Sequence, residues 1–133
     1  MPKNVVDRIV FYAELVAAQQ EEFTSDCIVH GIYFGTGDPE AGGQHWNFTR
    51  MAGEDDEGVC TVKEIQELTV YGGITSFTMS RTGLTCEFNA SAARETGTRR
   101  LEITYAVDDM TWTAMIEQSR HVFEGQPYFE LQG

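Results

Sequence analysis

Thr75, Phe77 and Met79 alternate with Ser76, Thr78 and Ser80; after Arg81-Thr82-Gly83, Leu84, Cys86 and Phe88 alternate with Thr85 and Glu87. Two period-two runs around a glycine-bearing turn form a β-hairpin with one buried face. The remaining segments are read relative to this hairpin. Residues 5–16 are rich in Val, Ile, Phe and Tyr and predict a strand, Gln19-Gln20-Glu21-Glu22 a polar turn, and residues 27–34 a second strand completing an opening hairpin. Gly35-Thr36-Gly37-Asp38-Pro39 and Ala41-Gly42-Gly43 then break the β pattern. Residues 45–51 predict a third strand, with Trp46, Phe48 and Arg50 on one side and Asn47, Thr49 and Met51 on the other. Cys60, Val62 and Ile65 mark a short extended segment that turns helical toward Leu68.

Beyond the hairpin, Asn89 is placed to cap a short helix running through Glu95, with Gly97 closing it. Leu101, Ile103, Tyr105 and Val107 give a long strand. Asp108 and Asp109 then cap a closing helix that carries Trp112, Met115, Ile116, Ser119, Val122 and Phe123 at spacings of three and four, with Gly125 and Pro127 as stops. Residues 128–133 read either as an edge strand or as a tail. No βαβ alternation, repeat or linker is present. The expectation is therefore one α+β domain over residues 1–133, with a mainly antiparallel sheet, one short helix and a C-terminal amphipathic helix on one face.

Charge bears on partners. Against 21 Asp and Glu the chain has 9 Lys and Arg, a formal net charge of −12. Such a balance disfavours nucleic acid and anionic membrane surfaces and suits a basic partner. No apolar run reaches the roughly 18 to 20 residues a membrane-spanning helix needs, and no secretory leader pattern opens the chain. Cys27, Cys60 and Cys86 are odd in number and widely spaced, which fits three reduced thiols in the cytoplasm.

No constellation points to catalysis. His30, His45 and His121 fall in separate elements without metal-ligand spacing, and no serine or cysteine sits in a nucleophile elbow. Glu54-Asp55-Asp56-Glu57 lacks the staggered spacing of a calcium loop and reads as a solvated loop or a protein-facing acidic patch. The glycines between residues 35 and 43 are followed by neither a helix N-terminus nor a lysine, so they read as a flexible connection rather than a phosphate cradle. Tyr71-Gly72-Gly73 reads as a structural turn, a bulge or a close backbone approach. Trp112 belongs to the helix stripe and the core. The Trp46, Phe48 and Arg50 face is either core with a snorkelling cation or an exposed interface anchor.

In order along the chain, Trp46-Asn47-Phe48-Thr49-Arg50, Asp55-Asp56-Glu57-Gly58, Cys60-Thr61-Val62, and Gln66 ahead of Tyr71-Gly72-Gly73 resemble the immunity protein 10 family of bacterial polymorphic toxin systems. The following hairpin, alanine-rich short helix, strand and amphipathic helix extend the resemblance over residues 45–123. The chain departs from the pattern at Thr49, where the family has Gln, and in its longer glycine-rich connection. The resemblance implies a cytoplasmic, non-enzymatic protein without metal or cofactor that binds and neutralises a cognate toxin domain. Many toxin domains act on nucleic acid and are basic, so anchors would be aromatic or acidic; the candidate contact residues are Trp46, Glu54, Asp55, Asp56 and Glu57, together with Arg50. The alternative is a small enzyme or ligand-binding domain with a pocket between sheet and helix, using His45 or His121 with an acid from residues 54–57.

Overall fold

The computed structural model describes residues 5–24, 27–53, 56–63 and 68–132. Among the described residues, ten strands form two five-stranded sheets. The first sheet comprises β1 (Ile9–Tyr12), β7 (Ile74–Met79), β8 (Gly83–Phe88), β9 (Arg100–Thr104) and β10 (Phe129–Leu131), in the order β1-β9-β8-β7-β10. The second comprises β2 (Leu15–Thr24), β3 (Cys27–Thr36), β4 (Gln44–Ala52), β5 (Cys60–Lys63) and β6 (Leu68–Tyr71), in sequence order. Helices α1 (Ala90–Thr96) and α2 (Asp109–Val122) flank β9 in the chain. The domain is α+β, as expected.

The 75–88 alternation forms the β7–β8 hairpin. Phe77 lies opposite Cys86 and Met79 opposite Leu84, and all four are buried. On β9, Leu101 and Ile103 continue the same apolar face. Rings join this face to the second sheet: Phe48 meets Phe77 at 5.0 Å between centroids, Phe34 meets Tyr105 at 5.4 Å, and Trp46 meets Phe88 at 6.2 Å. Helix α2 packs against β2, β3 and β4 and buries Trp112, Met115, Ser119 and Val122 along one stripe. Its start is fixed by Asp108, whose carboxylate accepts from the Thr111 amide at 2.7 Å. Asn89 caps α1 in the same way through the Ala92 amide.

Four sequence expectations are corrected. The single sheet becomes two, and the pairings of β1 with β9 and of β10 with β7 are parallel. The segment read as one strand over residues 5–16 divides at Ala13 and Glu14, with β1 in one sheet and β2 in the other. Ala13 is buried at the crossing and its amide donates to the Thr104 carbonyl at 2.8 Å; β-type composition reports extended backbone but not a change of sheet. Gln19-Gln20-Glu21-Glu22 is no turn but lies within β2, laddered to β3 from Gly31 back to Ile28. An edge strand with one solvated face tolerates such polar residues. Leu68 begins strand β6 rather than a helical turn, while Ile65 falls outside the described residues. Residues 129–131 take the edge-strand alternative.

Candidate functional site

Because paired residues share a face, the ladders assign both surfaces of the second sheet. Ile32, Phe34, Trp46 and Phe48 point inward. The opposite surface carries Ala17, Gln19 and Glu21 from β2, Val29, Gly31 and Tyr33 from β3, and His45, Asn47, Thr49 and Met51 from β4. Cys60 and Val62 from β5 and Thr69 and Tyr71 from β6 complete it. No helix covers this outer surface among the described residues.

Two connected depressions mark it. A cleft of about 350 Å³ is lined by Val29, Thr49, Met51, Glu57, Gly58, Cys60 and Tyr71. It shares Val29 and Thr49 with a smaller groove of about 70 Å³ running past Gln19, Glu21, Gly31 and Asn47 to Tyr33. Gly31 keeps that groove low: a Cβ there would lie 3.3 Å from Thr49 Cγ2 and 3.4 Å from Asn47 Oδ1. The lining contains two acids, Glu21 and Glu57, and no Lys or Arg.

Within the larger cleft, Tyr71 lies near Glu57 and Cys60, and Cys60 lies near Thr49, close enough to act on the titration of Tyr71 and Cys60. Burial pushes the Cys60 thiol up, against the lowering effect of the Thr49 and Tyr71 hydrogen bonds. The thiol therefore rests protonated, which is the opposite of an armed nucleophile. Tyr71 is also shifted up, first by the charge Cys60 would carry, then by desolvation and by Glu57. Tyr71 as a residue is 57% exposed. Apolar Val29 and Met51, a carboxylate and an open aromatic ring thus face one another.

The acidic run divides. Glu54 and Asp55 lie outside the described residues. Asp56 turns to Arg50, whose Nε donates to both carboxylate oxygens at 3.1 and 3.2 Å, and it also accepts from the Gly58 amide at 2.8 Å. The Arg50 hydrogen bond, followed by that from Gly58, holds the Asp56 carboxyl below its usual range. Arg50 Nη1 further donates to the Glu124 carbonyl at 2.6 Å just beyond α2, where a cation also complements the helix dipole. Arg50 and Asp56 therefore tie the loop after β4 to the helix end. Glu57 instead lines the outer cleft, and among the described residues no Lys or Arg pairs with it.

Trp46 is corrected as an anchor. It is 0% exposed, stacked near Phe88, with the Lys63 ammonium 5.3 Å from its ring centroid. Strand alternation leaves both readings of this face open; cover from the first sheet decides for core. Tyr71-Gly72-Gly73 forms the turn between β6 and β7. Gly73 has φ +83°, and a Cβ there would overlap the Ala92 methyl of α1, so the close approach requires glycine.

The histidines do not converge on the acids. His45 sits on the outer surface and contacts Tyr33 and the Gly37 carbonyl. His121 stacks on His30 at 4.1 Å, and His30 Nδ1 donates to Gln118 Oε1 at 2.8 Å. Against the second sheet α2 buries Trp112, Met115, Ser119 and Val122 and joins His30 through Gln118, whereas His45 lies on the sheet's opposite surface. Nor do the described residues contain a group of three or more His, Cys, Asp or Glu placed to hold a metal, or a helix long and apolar enough to cross a membrane.

Sequence reasoning missed Val29, Thr49, Met51 and Cys60 as cleft residues. The signal for Thr49 and Met51 was the polar side of the 45–51 alternation, while only strand pairing places Val29 beside Met51 and Cys60 beside Thr49. Against family models, curated proteins and solved structures the chain has no match.

Proposed function

We propose that this protein is an immunity-type inhibitor that binds and neutralises a cognate bacterial toxin domain by direct contact, in the cytoplasm and without catalysis or cofactor. The observation that carries the reading is the outer face of the second sheet. Among the described residues it is uncovered and grooved, its grooves are lined by the acids Glu21 and Glu57 and by no cation, and it belongs to a chain of net charge −12. A basic surface would gain faster association and complementary contacts there. The first sheet's outer face contrasts with it in carrying cations of its own: Arg100 pairs with Glu87 and Glu102, and Arg8 with Glu102. The motif order across residues 45–123 supports the toxin class. Of the anchors expected from sequence, Glu57 is retained, Arg50 and Asp56 serve to hold the loop, and Trp46 is withdrawn.

The test is capture followed by rescue. The immobilised protein is exposed to a lysate of the source bacterium, the retained polypeptide is identified, and its toxic domain is expressed with and without this chain. Retention of a toxin and restored growth support the reading. Retention of no toxin, or of one that remains lethal on co-expression, contradicts it.

A further inference from the structure

We infer that the cleft formed by Val29, Thr49, Met51, Glu57, Cys60 and Tyr71 is a receptor for a single arginine side chain presented by a basic polypeptide. This rests on the partner-binding reading and names the chemistry the face selects. Three features of the cleft match three parts of that side chain.

Val29 and Met51 offer apolar surface to the methylene stem, which long cationic side chains bury while keeping their charge near water. Glu57 offers the counter-charge. Its carboxylate lines the same cleft as Tyr71, and a carboxylate has lone pairs enough for a guanidinium fork. Tyr71 supplies an exposed ring, held at the end of β6 by the Gly72 amide donating to the Val59 carbonyl at 2.9 Å. A planar guanidinium stacks on such a ring, whereas an ammonium is a more strongly hydrated point charge. The volume of about 350 Å³ accommodates one extended side chain rather than a folded element. Cys60 stays a neutral thiol beside the carboxylate, so it adds no second negative charge and offers a soft, polarisable wall.

Arginine is favoured over other occupants by the surroundings. The lining of the cleft and groove carries no cation to repel it, and an acidic or neutral polar side chain would leave Glu57 without a counter-ion. A second cleft, near α1, is lined by Arg94, Arg99 and one acid, Glu87, which is already paired with Arg100. It serves as an internal control for the probe.

The experiment is a titration of the isotopically labelled full chain with acetyl-Gly-Arg-Gly-amide, followed by backbone amide shifts, alongside the lysine and citrulline counterparts. The expected result is saturable shifts confined to Val29, Thr49, Met51, residues 57–60 and Tyr71, in the millimolar range for an isolated side chain. Lysine binds more weakly and citrulline leaves the site unmoved. Glu57→Gln weakens arginine binding by roughly tenfold. Tyr71→Phe keeps the ring and binds within about twofold of the parent, while Tyr71→Ala loses binding. Absence of shifts at these residues, equal shifts with citrulline, or an undiminished Glu57→Gln response overturns the inference. Comparing the three peptides on the unsubstituted chain decides the matter even if a variant folds poorly. Loss of the peptide signal with toxin binding intact overturns this pocket alone; peptide binding without any toxin partner overturns the immunity reading alone.

Discussion

The Tyr33 hydroxyl donates to Nδ1 of His45 above the bare backbone of Gly35, and Nε2 of the same imidazole donates to the Gly37 carbonyl at 2.9 Å. One histidine in its Nε2–H tautomer thus pins the glycine-rich connection between β3 and β4 to the sheet. A Cβ on Gly35 would lie 2.7 Å from His45 Nδ1 and overlap the Tyr33 hydroxyl. Gly35→Ala is expected to cost about 1 to 3 kcal/mol, as overpacking does. Tyr33→Phe, which only removes the donor, should cost about 1 kcal/mol. Urea unfolding of both variants checks the order.

Acid stability depends on Asp56. Its folded pKa is lowered by Arg50 and the Gly58 amide, so its contribution is fully present above the ordinary value of 3.8 and is lost as pH falls below that through the folded value. The group is a third exposed, and solvent screening keeps the contribution under about 1 kcal/mol. In unfolding measurements from neutrality down to pH 3, Asp56→Asn should be less stable than the parent at neutral pH and converge with it in acid. Parallel curves would mean that Asp56 does not supply this slope.

Trp46 should matter for folding and not for recognition. Truncation to Ala removes a fully buried indole that packs near Phe88, a change that costs about 3 to 5 kcal/mol. The gentler Trp46→Phe should lower the melting temperature yet leave partner affinity unchanged in the folded protein. A folded Trp46→Phe protein with weakened affinity would restore it as an anchor.

Thiol reactivity should follow burial. Cys27 is only partly buried, Cys60 is buried at the cleft, and Cys86 is fully enclosed, with desolvation pushing its thiol well above the usual range. Timed labelling with an aromatic disulfide reagent should modify Cys27 first and Cys60 more slowly. Cys86 should react only on unfolding. Equal rates at Cys27 and Cys86 would contradict this packing.

Much of the fold was legible because local chemistry and tertiary cover agree in some segments and not in others. The 75–88 hairpin, the Asn89 and Asp108 caps and the α2 stripe are set by short-range pattern, and the structure has them there. The split at Ala13 and the polar stretch of β2 were not legible, because extended backbone looks the same on either side of a sheet change and an edge strand need not alternate apolar with polar residues. The cleft was legible only in part. Glu57 stood out as an acid, but its separation from Asp56 depends on Arg50 capturing one neighbour and not the other. Val29 and Cys60 carry no local mark and become neighbours of Thr49 and Glu57 only through strand pairing.

Recognition through the outer face of the second sheet is tested most directly by titrating the captured toxin domain with two matched variants, Thr49→Arg on that face and Thr85→Arg on the outer face of the first sheet. Both positions lie on strands and are partly buried, so each variant is first shown to retain a cooperative melt. The expected result is that Thr49→Arg, which places bulk and a like charge against a basic partner, weakens binding by about a hundredfold or more, while Thr85→Arg binds as the parent does. Unchanged binding by Thr49→Arg, or loss confined to Thr85→Arg, would contradict recognition through this face.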